Sequence, residues 1–126
     1  RQLSAKFGKE IVDHNTYCIV GDGCLMEGIS HEAASLAGDQ RLGKLIVLFD
    51  DNGISIDGST DLTVSDDHIA RFKSYGWHTI SADGHDFHAI RSVISQAKDS
   101  SKPSFLASTN FSCLTGIELI LSLMTV

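Results

Sequence analysis

Proline is nearly absent from this chain, with one in 126 residues, and its 11 glycines follow no fixed period. That excludes a collagen-like or proline-rich architecture. Cysteine is scarce too: Cys18, Cys24 and Cys113 are too few for a disulfide framework and lack zinc-ligand spacing. They read as reduced thiols of a cytoplasmic protein. Basic residues are few, with 10 Lys and Arg against 16 Asp and Glu, a net charge of −6. A nucleic-acid binder needs a basic face, so no nucleic acid is expected as a partner. The same balance argues against charge-driven binding to anionic membranes. A phosphate-bearing ligand must then be held by backbone N–H groups, a helix N-terminus or a metal. No long apolar run is present either. The stretch 114–126 falls short of the roughly 20 residues that cross a bilayer, so no membrane is expected. No secretory leader pattern is visible. The chain opens Arg1-Gln2-Leu3, and we read it as a piece of something longer.

What is present is a globular composition, 42% hydrophobic and 21% charged, of a length that suits one domain. Short apolar strands alternate with helical stretches. Strands are expected at 16–20, 45–49, 77–81 and 105–107. A helix is expected from 27 to 36, stopped by Gly38, and another from the caps Asp66 or Asp67 to about 75. A third runs from 87 to 98, capped by Asp86, with Phe87, Ile90, Ile94 and Ala97 on one core-facing stripe. This is the α/β pattern, and uninterrupted apolar strands predict a parallel sheet with helices on both faces. Right-handed crossovers collect the loops that follow the strands on one edge, where such sheets bind ligands.

Two of those loops carry chemistry. Gly21-Asp22-Gly23 follows the first strand, and Asp50-Asp51-Asn52-Gly53 follows the second. The Asp22 carboxylate, the Asn52 amide oxygen and a nearby backbone carbonyl are hard ligands that suit Mg²⁺ or Ca²⁺. Gly21 and Gly23 let the backbone approach a diphosphate, and the following helix offers N–H groups and a positive dipole end. Each turn alone reads more readily as a plain turn; at matched strand ends of one βαβ unit, the two together read equally well as a site. Of the histidines, His85 and His88 have i, i+3 spacing but no carboxylate pair to complete a site, and His14 and His31 are assigned no catalytic role.

The longer strings carry a resemblance. Gly21-Asp22-Gly23-Cys24-Leu25-Met26-Glu27-Gly28-Ile29-Ser30-His31-Glu32 and Asp50-Asp51-Asn52-Gly53-Ile54-Ser55-Ile56-Asp57-Gly58 together resemble transketolase. So do Tyr75-Gly76-Trp77, Asp83-Gly84-His85-Asp86 and Lys102-Pro103-Ser104. The resemblance implies part of a thiamine-diphosphate-binding fold over residues 1–107. It implies thiamine diphosphate and Mg²⁺ (or Ca²⁺) as cofactors, with Asp22, Asn52 and the Ile54 carbonyl as metal ligands. Gly21 and Gly23 would line the diphosphate. Ile56 would pack near the cofactor, with plain core as its other reading. Glu27 would join a carboxylate network at a dimer interface, or else be a solvated first-turn glutamate. The implied activity moves a two-carbon ketol unit from a ketose phosphate to an aldose phosphate, in a homodimer or with a complementary chain. The activating glutamate of the family lies in another domain and comes from the partner subunit, so no catalytic residue is assigned here and the chain alone is expected to be inactive.

Residues 108–126 do not follow the family pattern and are left unassigned. Three readings stay open: a transketolase piece, the first subunit of a split thiamine-diphosphate enzyme, and a non-catalytic interaction module docking through the apolar tail.

Overall fold

The computed structural model describes residues 1–109. The unassigned tail therefore lies outside the described residues from position 110 onward. Four parallel strands form the sheet: β1 (Thr16–Gly21), β2 (Leu45–Asp51), β5 (His78–Asp83) and β6 (Ser104–Thr109), in the order β1-β2-β6-β5. A two-residue pair, β3 (Ile54–Ser55) with β4 (Gly58–Ser59), forms a small antiparallel hairpin beyond β2. The helices are α1 (Gln2–Phe7), α2 (Asp22–Met26), α3 (Gly28–Asp39), α4 (His68–Ser74) and α5 (Phe87–Asp99), with a single 3₁₀ turn at Thr60–Leu62.

The strand order explains where the helices go. The chain steps from β1 to β2 and on past the β6 position to β5. It then turns back to insert β6. With right-handed crossovers, a reversal of direction moves the connecting helix to the opposite face. The helices α2, α3 and α4 accordingly share one face, where Leu25, Ala34, Ala37 and Phe72 pack on Val47, Phe49 and Phe105. On the other face, Ile90, Ile94 and Ala97 of α5 pack on Ile46, Leu48 and Leu106. Successive strand residues point to opposite faces, so consecutive β2 residues feed the two cores in turn.

The expected elements form, with α1 and the β3–β4 hairpin added and β5 moved on to His78–Asp83, and with these further differences. The turn at Gly21-Asp22-Gly23 opens a helix of its own, α2, and Glu27 has extended backbone (φ −69°, ψ 133°) before α3 begins at Gly28. The N-terminus of the longer helix is thus displaced by one short helix from the turn it was expected to follow. Gly38 does not stop α3, which continues through it to Asp39. A Cβ at Gly38 would stand 1.9 Å from the Tyr75 carbonyl oxygen, so glycine is there for close packing. Phe87 is 54% exposed and not part of the stripe beneath α5. It is the first residue of the helix, ahead of the turn that meets the sheet. Finally, β6 runs to Thr109, carrying Ser108 and Thr109 alongside Asp50 and Asp51 of β2.

Asp67 and Asp86 cap their helices as expected. Asp67 Oδ1 accepts from Ala70 N at 2.8 Å, and Asp86 Oδ1 accepts from His88 N and Ala89 N at 2.9 and 3.0 Å.

Candidate functional site

The carboxyl ends of β1 and β2 lie side by side, with Gly21 in register with Asp50. This alone places the two acidic turns at one edge of the sheet. The hairpin closes over them. A Cβ on Gly23 would stand 3.1 Å from the Ser55 hydroxyl, so α2 and β3 are too close for any side chain larger than hydrogen at position 23 without a shift. Gly21 carries no such constraint, because a Cβ there would meet nothing within 4 Å.

Asp22 is buried, 4% exposed, at the start of α2. Its Oδ1 lies 3.7 Å from His68 Nε2, while its Oδ2 is buried with no hydrogen-bond partner among the described residues. Burial pushes the Asp22 carboxyl above the ordinary carboxylate range, and the nearby Asp51 charge raises it further, against a smaller lowering by His68. Asp50 is raised as well, first by burial; a hydrogen bond from Asn52 opposes this, and the charges of Asp22 and Asp51 add to it. The Asp50 Oδ1 atom is also buried and unpartnered among the described residues. Three carboxylates at one strand edge thus repel one another.

Asn52 holds the second turn together. Its Nδ2 donates to Asp50 Oδ2 at 3.0 Å, and its Oδ1 accepts from Ile54 N at 2.9 Å. An amide oxygen has two lone pairs, so one remains for another ligand. Ile54 and Ile56 lie in the hairpin and are 59% and 95% exposed. This corrects the core reading of Ile56, which projects from the fold. Its φ of 61° is in the left-handed region, an outlier for a β-branched residue at the hairpin tip. Such strain is characteristic of functional loops. Glu27 is exposed at the α2–α3 junction, solvated but one residue ahead of the first turn of α3.

His68 was missed from sequence. It is buried in the first turn of α4, its ring edge-on to Phe49 at 5.2 Å and 89°. Burial, then the Arg71 charge, lowers its pKa, against weaker raising by Asp22, Asp66 and Asp51. Arg71, one turn later, contacts His68 Nδ1, the Leu25 carbonyl (3.2 Å), His31 Nε2 (2.9 Å) and Asp66 (3.4 Å). The signal was the i, i+3 pair directly after the Asp67 cap. His85 and His88 are exposed.

Among the described residues, no three His, Cys, Asp or Glu side chains converge as a metal cluster would. The candidate donors are instead one carboxylate, one amide oxygen and one main-chain carbonyl. These are hard ligands that fit a small divalent cation completed by water or phosphate oxygens.

Residues 1–115 match the family described as "Transketolase, thiamine diphosphate binding domain". The chain belongs to the transketolase family. Transketolase 1 of Aliivibrio fischeri is 58% identical over 110 residues, covering 84% of this chain and 17% of that protein. The chromosomal transketolase of Cupriavidus necator is 59% identical over 100 residues, covering 76% of this chain and 15% of that one. Among solved structures, transketolase from Campylobacter jejuni superposes with a TM-score of 0.83 at 39% identity, covering 86% of this chain and 17% of that chain. The Pichia stipitis transketolase complex with sedoheptulose 7-phosphate gives 0.82 at 49% identity, with the same coverage. The chain thus spans about one-sixth of the transketolases it matches. Among the described residues, no helix is long and apolar enough to cross a membrane.

Proposed function

We propose that this chain carries the cation and diphosphate anchor of a thiamine-diphosphate-dependent transketolase. The observation that carries the reading is Asp22 Oδ2: a buried carboxylate oxygen without a partner among the described residues, close to the like charges of Asp50 and Asp51. Buried charges are ordinarily paired or coordinate a metal. A divalent cation at this edge relieves the mutual repulsion and gives the acidic chain a means of holding an anion. Asp22, Asn52 and the Ile54 carbonyl would hold Mg²⁺ or Ca²⁺. Gly21 and Gly23 would admit the diphosphate, and Ile56 would touch the cofactor from the hairpin tip. Glu27, exposed between α2 and α3, would belong to a dimer-interface network.

When bound, thiamine diphosphate supplies a thiazolium carbanion for attack on a ketose phosphate; the chemistry is the cofactor's and the protein anchors and orients it. This chain's own groups do the anchoring. The paired ends of β1 and β2 fix the Asp22 and Asn52 turns relative to each other, and the Asp50 contact fixes which way the Asn52 amide faces. Ketol transfer between sugar phosphates is then the activity of the complete protein, as a homodimer or with a complementary chain. The anchor itself falls within residues 1–107.

The test is calorimetric titration of thiamine diphosphate into the chain with Mg²⁺, with EDTA, and with Asp22→Ala. Binding should require both the metal and Asp22, with a loss above about 100-fold in the variant, since outer-shell partners alone are worth about 10- to 100-fold. Equal binding in EDTA or in Asp22→Ala, or none in a chain shown by circular dichroism to be folded, overturns the anchor.

A further inference from the structure

Arg71 fixes the protonation of its neighbour. A guanidinium has five N–H donors and no acceptor. Its Nη2 reaches His68 Nδ1, so that nitrogen must offer a lone pair. The ring proton is then on Nε2, the nitrogen that faces Asp22 Oδ1 across 3.7 Å. Phe49 sets the plane of the ring from below, and both His68 and Asp22 are buried, so neither swings freely into water. Arg71 is itself tied down. It donates to the Leu25 carbonyl at the far end of α2, meets His31 of α3, and pairs with Asp66 ahead of α4. One side chain thus joins three helices around the base of the Asp22 turn.

The two oxygens of Asp22 are consequently unlike. Oδ1 faces an N–H donor, and Oδ2 has no partner among the described residues. The separation of 3.7 Å is longer than a hydrogen bond. A shift of less than 1 Å in the carboxylate makes it one.

We propose that His68, oriented by Arg71, is a positioning residue that engages Asp22 Oδ1 through its Nε2–H and leaves Oδ2 directed at the cation. The inference rests on the anchor reading above and adds a supporting residue from α4, an element distant in sequence from both acidic turns. The chemistry is that of groups behind a metal ligand, which orient it and govern its affinity.

The test uses Mn²⁺ as the probe in the presence of thiamine diphosphate, with free Mn²⁺ followed by electron paramagnetic resonance. The chain is compared with Asp22→Ala, His68→Phe and His68→Gln. Phenylalanine keeps a ring against Phe49 but has no N–H; glutamine restores a donor and an acceptor. His68→Phe should weaken Mn²⁺ binding about 10- to 100-fold and His68→Gln should stay within about threefold of the unaltered chain. Near-ultraviolet circular dichroism of the two variants should coincide. A merely structural role predicts instead that affinity tracks thermal stability in both variants, and that result overturns the proposal. So does unchanged affinity in His68→Phe. If the unaltered chain binds Mn²⁺ no better than Asp22→Ala, the anchor itself fails and the positioning role falls with it. Binding that depends on Asp22 but ignores His68 removes only the positioning role.

Discussion

The two faces of the sheet are built from different materials. Beneath α3 and α4 the core is aromatic. Phe72 stacks on Phe105 at 3.8 Å, Phe105 on Phe49 at 5.5 Å, and Trp77 meets Phe72 edge-on at 5.0 Å. The Trp77 indole N–H donates to the Ala34 carbonyl at 2.8 Å, tying α3 to the start of β5. Beneath α5 the core is aliphatic, made by Ile46, Leu48, Ile90, Ile94, Ala97 and Leu106. The difference is functional. On the aromatic face the row of rings ends at His68, which meets Phe49 edge-on, so core packing reaches the side chain beside Asp22. The aliphatic face holds α5, and among the described residues its core includes none of the candidate ligands. One face therefore supports both fold and site, and the other supports fold.

Truncating each core in turn separates those duties, with the largest effects expected anywhere in the chain. Phe105→Ala removes a fully buried ring from the middle of the stack and should cost about 3–5 kcal/mol. Ile94→Ala on the other face should cost about 2–5 kcal/mol. Urea denaturation measures both. Mn²⁺ affinity measured below the unfolding transition should fall in Phe105→Ala and stay unchanged in Ile94→Ala. Equal loss of affinity in both would mean that the site senses global stability and that the faces are not distinct.

Gly38→Ala is the next largest. The added Cβ meets the Tyr75 carbonyl oxygen at 1.9 Å, and that neighbour is backbone, with little room to give. Overpacking of this kind costs roughly 1–3 kcal/mol. It should push α3 away from the loop that follows α4 and lower the denaturation midpoint. An alanine tolerated there at no cost would show that α3 sits more loosely on the aromatic face than Ala34, Ala37 and Gly38 imply.

The same contrast governs what the sequence disclosed. The aliphatic face was legible almost whole, because Ile90, Ile94 and Ala97 repeat at helical spacing and Asp86 is a local cap. Strand positions were legible from uninterrupted apolar runs. The acidic turns were legible as a pair, since parallel strands bring their carboxyl ends together. The rest depends on contacts between distant segments. Nothing local marks Gly38 as a packing glycine and not a helix stop, because its partner Tyr75 belongs to another element. The local mark on His68, its i, i+3 spacing to Arg71 after the Asp67 cap, does not by itself point to a site. Its meaning comes from Asp22, Phe49 and Arg71, of which only Arg71 is nearby in sequence. Of the two readings of Ile56, cofactor contact or plain core, the second fails because the hairpin tip turns it outward.

The smallest effects, and the ones that separate the faces by pH, come from two buried groups. His68 belongs to the aromatic face, and its pKa lies below the ordinary value of 6.5 in the folded chain. The unfolded chain takes up that proton first. Stability contributed by neutral His68 is therefore present above about pH 6.5 and is lost as pH falls from there towards the folded pKa. Tyr17 packs against the aliphatic core, with its hydroxyl buried and unpartnered among the described residues. Burial raises its pKa above 10.0, so the unfolded chain loses that proton first, and stability declines as pH rises beyond about 10. Tyr17→Phe deletes an unsatisfied polar group at little change of shape, and should raise stability by up to about 1 kcal/mol at neutral pH. It should also flatten the alkaline limb of a stability profile measured by denaturation at a series of pH values in EDTA. The acid limb should be untouched by Tyr17→Phe and shallower in His68→Gln. A single variant that flattens both limbs would mean that the two faces titrate as one unit.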